Sequence, residues 1–302
     1  MKSALVTGAN GFVGSHIVRA LLDAGFSVRA FGRSAPVVSA PGVEFVQGDI
    51  CDFNSHAALV TGVSAVVHCA AFIPPNHTDS TYAARCYEVN ALATLRLGEA
   101  FLNHASGQFV YASGSNAYPP SSAPVLETQA PYPADRAAYY LTSKVAGEIY
   151  LEHLARTRGL SLSTFRISSP YGMGMPPGSV VARFMALASE GKPLTVRDGG
   201  ATASDLVHVG DVAKAVLAAL ERQKTGIYNI GSGEHSSLLT LAQTVLATYP
   251  ETGSTLDVEP PKGAPAASFA PIDITKARRE LDYQPRTLAK GLLDFRAARQ
   301  ML

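Results

Sequence analysis

The sequence predicts an α/β fold, a doubly wound parallel sheet with a smaller mixed C-terminal lobe. Three observations predict it. Apolar runs of strand length alternate with stretches of helical period, glycines cluster at the first strand-to-helix junction, and the chain breaks into short Pro- and Gly-punctuated pieces after about Ile167. The strand runs are Ala4–Thr7, Val28–Phe31, Val43–Val46, Ala65–Cys69, Gln108–Ala112 and Leu162–Ile167. Helical periodicity marks Val13–Ala24, Ser55–Val60, Tyr82–Asn103 and Ala137–Arg158, with Gly25 and Gly159 placed as C-terminal stops. Strands that are apolar throughout, separated by helices, belong to a parallel sheet covered on both faces.

Beyond Ile167, prolines and glycines at 176–178, 193 and 199–200 interrupt the pattern. Later elements are expected as strands at Leu206–Val209 and Ile227–Ile230 and helices at Asp211–Glu221, Leu238–Thr248 and Ile274–Leu281, the last preceded by a Pro-rich loop, Pro260–Pro271. A cleft between two lobes is the default place for a small-molecule substrate.

Composition bounds the function. Apolar residues make up 47% and charged residues 16% of the 302 residues, a globular balance rather than a disordered one. The net charge of +1, with Lys and Arg scattered, gives no nucleic-acid footprint. No apolar run approaches the ~18 residues that span a bilayer, and the start, MKSALVTGANG, makes a poor signal peptide. The three cysteines lack CxxC spacing, which disfavours a disulfide framework or a zinc site and fits a reducing, cytoplasmic setting.

Gly8-Ala9-Asn10-Gly11-Phe12-Val13-Gly14 follows the first strand and opens the first helix. Glycines at such a junction allow a tight turn, close backbone approach to a pyrophosphate and close helix–strand packing. The helix N-terminus adds free N–H groups and partial positive charge. The spacing is GxxGxxG, and within a βαβ unit it points to a dinucleotide. An acidic residue at the end of the second strand would take the ribose 2′-OH of NAD. The chain instead reads Val28-Arg29-Ala30-Phe31-Gly32-Arg33. A guanidinium there suits a 2′-phosphate, so the reading leans to NADP(H), with NAD(H) the alternative. The Rossmann-type dinucleotide domain is expected over 1–167 together with about 203–230, and the substrate lobe over 168–202 and 231–302.

Tyr140 and Lys144 are spaced i, i+4 in a long helical pattern and so share a face. An ammonium beside a phenol favours phenolate and is expected to lower its pKa from about 10. That makes Tyr140 a candidate acid/base for a carbinol–carbonyl exchange. Tyr139 is one residue out of register with Lys144.

These motifs occur in a characteristic order. TGANGFVG, GDI (Gly48–Ile50), VVHCAA (Val66–Ala71), VNALAT (Val89–Thr94), YLTSK and FRISSPYG (Phe165–Gly172) are followed by SDLVHVGDVAKAV (Ser204–Val216), YNIGSG (Tyr228–Gly233) and DITKARRELDYQP (Asp273–Pro285). Together they resemble the extended short-chain dehydrogenase/reductase family, NAD(P)-dependent enzymes of the sugar epimerase and dehydratase type. The resemblance implies that Gly8, Gly11, Phe12, Val13 and Gly14 hold the pyrophosphate, with Asn10 in the same loop. Asp49 and Ile50 would contact the adenine. Cys69, Ala70 and Ala71 would line the ribose and nicotinamide, Asn90 would sit near the cofactor and its proton relay, and Pro170 would pack by the nicotinamide. Tyr140 would be the acid/base and Lys144 would bond the nicotinamide ribose. The family's dimer, in which two long helices pair with their copies, implies a homodimer through Tyr82–Asn103 and Ala137–Arg158, with Leu92, Leu95, Leu97, Phe101, Val145, Ile149 and Leu154 as the apolar residues.

Three departures narrow the function. The family's Ser or Thr four residues before a Tyr-Gly pair is Gly114 here, leaving Ser113 or Ser115 to supply the hydroxyl. The Asp-Glu pair with which the dehydratases remove water is Ser115-Asn116, so dehydration is disfavoured. The arginines that meet a substrate pyrophosphate are absent from Ala203-Ser204-Asp205 and from Lys262–Phe269, leaving Arg183, Arg197 or Lys262 as substitutes. The expected function is hydride transfer at a secondary alcohol or ketone of a sugar or sugar nucleotide. A net ketoreductase or dehydrogenase leads, a nucleotide-sugar epimerase is the alternative, and a non-catalytic cofactor-binding scaffold is the second alternative.

Overall fold

The computed structural model describes residues 2–134, 136–263 and 268–300. The strands are β1 (Ser3–Thr7), β2 (Ser27–Gly32), β3 (Val43–Gln47), β4 (Ala65–His68), β5 (Gln108–Gly114), β6 (Ser161–Ile167), β7 (Ser169–Tyr171), β8 (Leu194–Val196), β9 (Ala203–His208), β10 (Gly226–Ile230), β11 (His235–Ser237) and β12 (Leu256–Val258). The helices are α1 (Phe12–Asp23), α2 (His56–Val60), α3 (Ala83–Tyr87), α4 (Ala93–His104), α5 (Ala138–Arg158), α6 (Val180–Ser189), α7 (Val209–Glu221), α8 (Leu238–Thr248), α9 (Thr275–Leu281) and α10 (Leu288–Gln300).

Seven strands form one parallel sheet in the order β10-β6-β5-β4-β1-β2-β3. Side chains alternate across it. Ala4 and Val6 join the core under α1, α7 and α9, with Ile17, Leu21, Val216 and Ala277. Leu5 faces the opposite core, under α2, α4 and α5, with Leu59, Leu97 and Leu151. Strand order reverses between β1 and β4, and the crevice at their C-terminal ends is where ligands bind in such sheets.

A third core, with Phe184, Met185, Leu241 and Leu292, holds the C-terminal lobe around the small sheets β11-β9-β7 and β12-β8. Within 203–230, β10 completes the large sheet while β9 belongs to the small one. From the C-terminal stretch, Ala277 and Leu281 of α9 pack into the core beneath the large sheet. The lobes therefore interleave more finely than the ranges expected from the sequence. Four three-residue strands escape sequence reading because they are too short to display a period.

The helix expected at Tyr82–Asn103 is one rod with an irregular middle: α3 runs into a π turn, Glu88–Leu92, before α4 begins. Among the described residues no helix is long and apolar enough to cross a membrane.

Candidate active site

The glycine loop is shaped by contact rather than by flexibility. Gly8 adopts φ +66°, and a Cβ there would stand 2.8 Å from the Ala70 nitrogen. A Cβ on Gly14 would fall 2.2 Å from the Gly8 carbonyl oxygen, so α1 can dock only with glycine there. Gly11 caps α1 without any side-chain bond, and the first turn carries no carboxylate. The N–H groups of that turn are thus left to an anion.

This cradle opens into a cavity of about 890 Å³. Gly8, Asn10, Gly11, Phe12, Val13 and Gly14 line one end, and Cys69, Ala70 and Ala71 line its floor at the end of β4. A cradle that a methyl group would fill, beneath an uncapped helix N-terminus, fits a dinucleotide pyrophosphate.

Arg33, Asp49 and Ile50 line the far wall. Asp49 accepts from the Cys51 N–H at 2.9 Å and from Arg85 at 3.1 Å. The Cys51 bond first, and Arg85 after it, hold the carboxyl below the usual carboxylate range. Arg85, which the sequence reading missed, also lines the cavity and pairs with Glu88 at 2.7 Å. Arg33 is exposed at the rim, and among the described residues it has no carboxylate partner. Asn10 lines the cavity, but its amide is spent on the chain after β2: Nδ2 donates to the Ser34 carbonyl at 2.6 Å and Oδ1 accepts from the Val37 N–H at 3.1 Å. It holds the Arg33 turn in place.

At the other end the cavity meets Ser113, Tyr140, Lys144 and Pro170. Tyr140 and Lys144 come from adjacent turns of α5. The expected electrostatics are reversed. Burial pushes the Tyr140 phenol up to about 12, with Cys86 adding to it. Burial pushes Lys144 down to about 8, against the opposing pull of Cys69 and Glu148. The physical reason is placement. The Lys144 ammonium is buried over the Tyr111 ring, 4.2 Å from its centroid, and burial is the leading cause of the shift in both groups.

Ser113 lines the cavity, is buried, and its hydroxyl has no hydrogen-bond partner. Ser115 is buried but does not line the cavity, whereas Asn116 does. Asn90 does not line it either. Its Oδ1 accepts from the Phe72 N–H at 2.7 Å, and its Nδ2 donates to the Phe72 carbonyl at 3.0 Å and to Ser143 Oγ at 2.9 Å. It sits in the π turn and clamps the loop that follows β4.

From the C-terminal lobe, Met175, Pro176 and Ser179 reach the cavity just before α6. The candidate phosphate-binding cations do not. Arg183 is exposed on α6, and Arg197 and Lys262 lie near Glu259, at 3.9 Å and 3.6 Å. Part of the Lys262–Phe269 stretch, residues 264–267, lies outside the described residues. Asp205 is a structural hub. It accepts from Ser232 N–H at 2.6 Å, Ser232 Oγ at 2.9 Å, Gly233 N–H at 2.9 Å and Ser168 Oγ at 3.1 Å.

The chain is 30% identical to a dTDP-glucose 4,6-dehydratase of Streptomyces niveus, over 96% of this chain and 90% of the relative. The UDP-glucose 4-epimerase of Thermotoga maritima with UDP-glucose superposes with a TM-score of 0.86 at 27% identity, covering 99% of each chain. MoeE5 in complex with UDP-glucose and NAD gives 0.83 at 27% identity, again covering 99% of each. Residues 4–231 match the model of the NAD dependent epimerase/dehydratase family, and the chain, an enzyme of the extended short-chain dehydrogenase/reductase type, belongs to that family.

Proposed function

We propose that the protein transfers hydride at a secondary alcohol or ketone of a sugar nucleotide, with net ketone reduction as its working direction. The observation that carries this reading is the convergence at one end of the cavity of Tyr140, Lys144 and the partnerless hydroxyl of Ser113. The dinucleotide, when bound, supplies the hydride. Tyr140 gives its proton to the oxygen that gains charge as the carbonyl is reduced, Ser113 donates a hydrogen bond to that oxygen, and Lys144 sets the charge beneath both. A phenol pushed up to about 12 by burial keeps its proton near neutral pH, which suits a general acid.

Cofactor choice is finer than the family's NAD dependence. The exposed Arg33, with Ser34 beside it and no carboxylate at the end of β2, supports acceptance of the 2′-phosphate of NADP(H). The lobe expected at 168–202 and 231–302 is assigned to the substrate, because Met175, Pro176 and Ser179 bring it to the cavity. A homodimer through α4 and α5 is part of the proposal. Leu97, Phe101 and Leu154 are consumed by the chain's own core, but Leu92 and Val145 are half-buried and Ile149 is 59% exposed. Light scattering at micromolar concentration tests it, with a monomeric mass the contrary result. The cysteine usage supports a cytoplasmic location.

The chemistry is tested with dTDP-4-keto-6-deoxyglucose and NADH or NADPH, followed by loss of dihydronicotinamide absorbance. Tyr140→Phe should lower turnover by about 10²–10⁴ while cofactor affinity holds. Undiminished turnover in that variant would refute the mechanism. Epimerisation is the second reading, supported by the likeness to the UDP-glucose 4-epimerase. It predicts formation of the C4 epimer from UDP-glucose without net reduction of NAD.

A further inference from the structure

We propose that His77 carries the proton between Tyr140 and bulk water in each net redox turnover. This rests on Tyr140 being the acid/base of the cleft. The imidazole of His77 packs against the Tyr140 ring, with centroids 6.0 Å apart and planes inclined by 56°. The two rings are thus neighbours, and in the proposal the proton crosses between them through water. Among the described residues, the titratable groups that face Tyr140 include Cys86, Tyr111 and His77, with Lys144 one turn on along α5, and of these four His77 alone is exposed.

The loop that carries His77 is held on both sides of it. Asn90 clamps the backbone of Phe72 through both its N–H and its carbonyl. Asn76 Oδ1 accepts from the Thr78 N–H at 3.1 Å and from its hydroxyl at 2.9 Å. Asp79 Oδ1 accepts from the Thr81 N–H at 2.9 Å and from its hydroxyl at 2.7 Å. His77 is thus an exposed imidazole in an ordered loop, seated on the phenol.

The inward direction offers no such exit. Behind Lys144 a polar chain runs from Thr7 to His68 at 2.6 Å, from His68 to Thr94 at 2.9 Å, and from the Thr94 hydroxyl to the Asn90 carbonyl at 2.8 Å. All four residues are fully buried. The same Asn90 carbonyl also accepts from Tyr111 Oη at 3.4 Å, and the Asn90 side-chain amide is used up on Phe72 and Ser143. Among the described residues, the side chains along that path are all buried.

The step balances. In reduction, hydride bonds to the carbonyl carbon, and the electron pair released to oxygen takes the phenol proton of Tyr140. The phenolate then takes a proton from the His77 imidazolium, and the neutral imidazole takes one from water. Oxidation runs in reverse. In epimerisation the proton that the tyrosine takes from the substrate hydroxyl goes back to the same oxygen, and no exit is needed. His77 is therefore a device for net redox chemistry.

The test compares the first turnover with the steady state, using dTDP-4-keto-6-deoxyglucose and NADH as probes. With Tyr140 protonated at the start, His77→Ala should leave first-turnover hydride transfer unchanged. Its steady-state rate should fall on the order of 10-fold, short of the ~10²–10⁴ expected for loss of the acid itself. The steady-state solvent isotope effect should rise, and added imidazole should restore the His77→Ala rate. It should not restore His77→Phe, whose ring fills the space. Steady-state rates unchanged in both variants would overturn the proposal. So would an equal loss in the first turnover with no imidazole rescue, which is the mark of a merely structural residue. A Tyr140→Phe variant with full turnover would instead overturn the reading of the cleft on which His77 depends.

Discussion

The ammonium of Lys144 stands 4.2 Å from the ring centre of Tyr111, a phenol on the sheet, rather than being free in the cleft beside Tyr140. Gly147 makes this approach possible: a Cβ there would come within 2.6 Å of Tyr111 Oη and 2.8 Å of the Asn90 carbonyl oxygen. Tyr111 Oη in turn donates to the Lys144 carbonyl at 3.2 Å. The ring face partly replaces the water that the ammonium has lost, but burial still pushes its pKa down to about 8.

A pH dependence follows. Lys144 is charged below about 8 and neutral above it. Tyr140, pushed up to about 12, holds its proton through the same interval. The kcat/KM for ketone reduction should therefore fall as pH rises through about 8, with Lys144 the titrating group. A pH profile of Lys144→Arg should lose that limb whatever its absolute rate. The stability effect has the opposite sense. Between about 8 and the free value of 10.5 the unfolded chain binds more protons at this position, so the contribution of Lys144 to stability rises with pH there.

Ser113→Ala should separate function from stability. The hydroxyl is buried with nothing to bond, so its removal should leave the melting temperature unchanged or raised. Turnover should fall by about 10–100-fold, the scale of one hydrogen bond to a charged oxygen. Ser115→Ala should stay near the parent rate, since Ser115 does not line the cavity. Steady-state kinetics with calorimetric melting checks all three.

Arg33→Ala should weaken NADPH binding far more than NADH binding, because the guanidinium is exposed at the cavity rim and holds no carboxylate. A loss on the order of 10-fold for NADPH corresponds to one exposed charge-assisted contact. Calorimetric titration with both cofactors reads the difference, and equal losses would remove Arg33 from cofactor selection.

Glu148→Gln should be strongly destabilising. Glu148 and Arg166 form an ion pair at 2.8 Å with both side chains 5% exposed, and Arg166 also reaches the hydroxyl of Tyr118 at 2.9 Å. Removing the carboxylate leaves a buried guanidinium uncompensated, which costs roughly 3–5 kcal/mol. Urea unfolding measures it. Glu148 also supports the charge of Lys144, so the alkaline limb of any residual activity should move to lower pH.

Much of this was legible in the residues, in proportion to how local each feature is. β1, the glycine loop and α1 are a contiguous run, and the loop shape follows from three glycines whose neighbours lie in that run or at the end of β4. Tyr140 and Lys144 share a helix face by spacing alone. Their titration was not legible, because it depends on burial, which comes from elements distant in sequence such as β5 packing Tyr111 under α5. Arg85 carries no local signal, since its partner Asp49 lies 36 positions away. For Asn90 and Asn10 the neighbourhood could be anticipated but not the work they do. An amide's partners are set by which backbone is folded against it, here Phe72 and Ser34. α10 was missed because Lys290, Asp294, Arg296 and Arg299 dilute its apolar stripe of Leu288, Leu292 and Phe295.

The π turn at Glu88–Leu92 makes the residue count of its helix a determinant of the cavity wall at Arg85. Such a turn holds one residue more than an α-helical turn. Deleting any one residue there would restore a regular ladder and rotate α3 by about 100° against α4. Arg85 would swing away from Asp49 with both side chains retained. A single-residue gap in this stretch would therefore disable the site as surely as a substitution, and no comparison of residue types alone would reveal it.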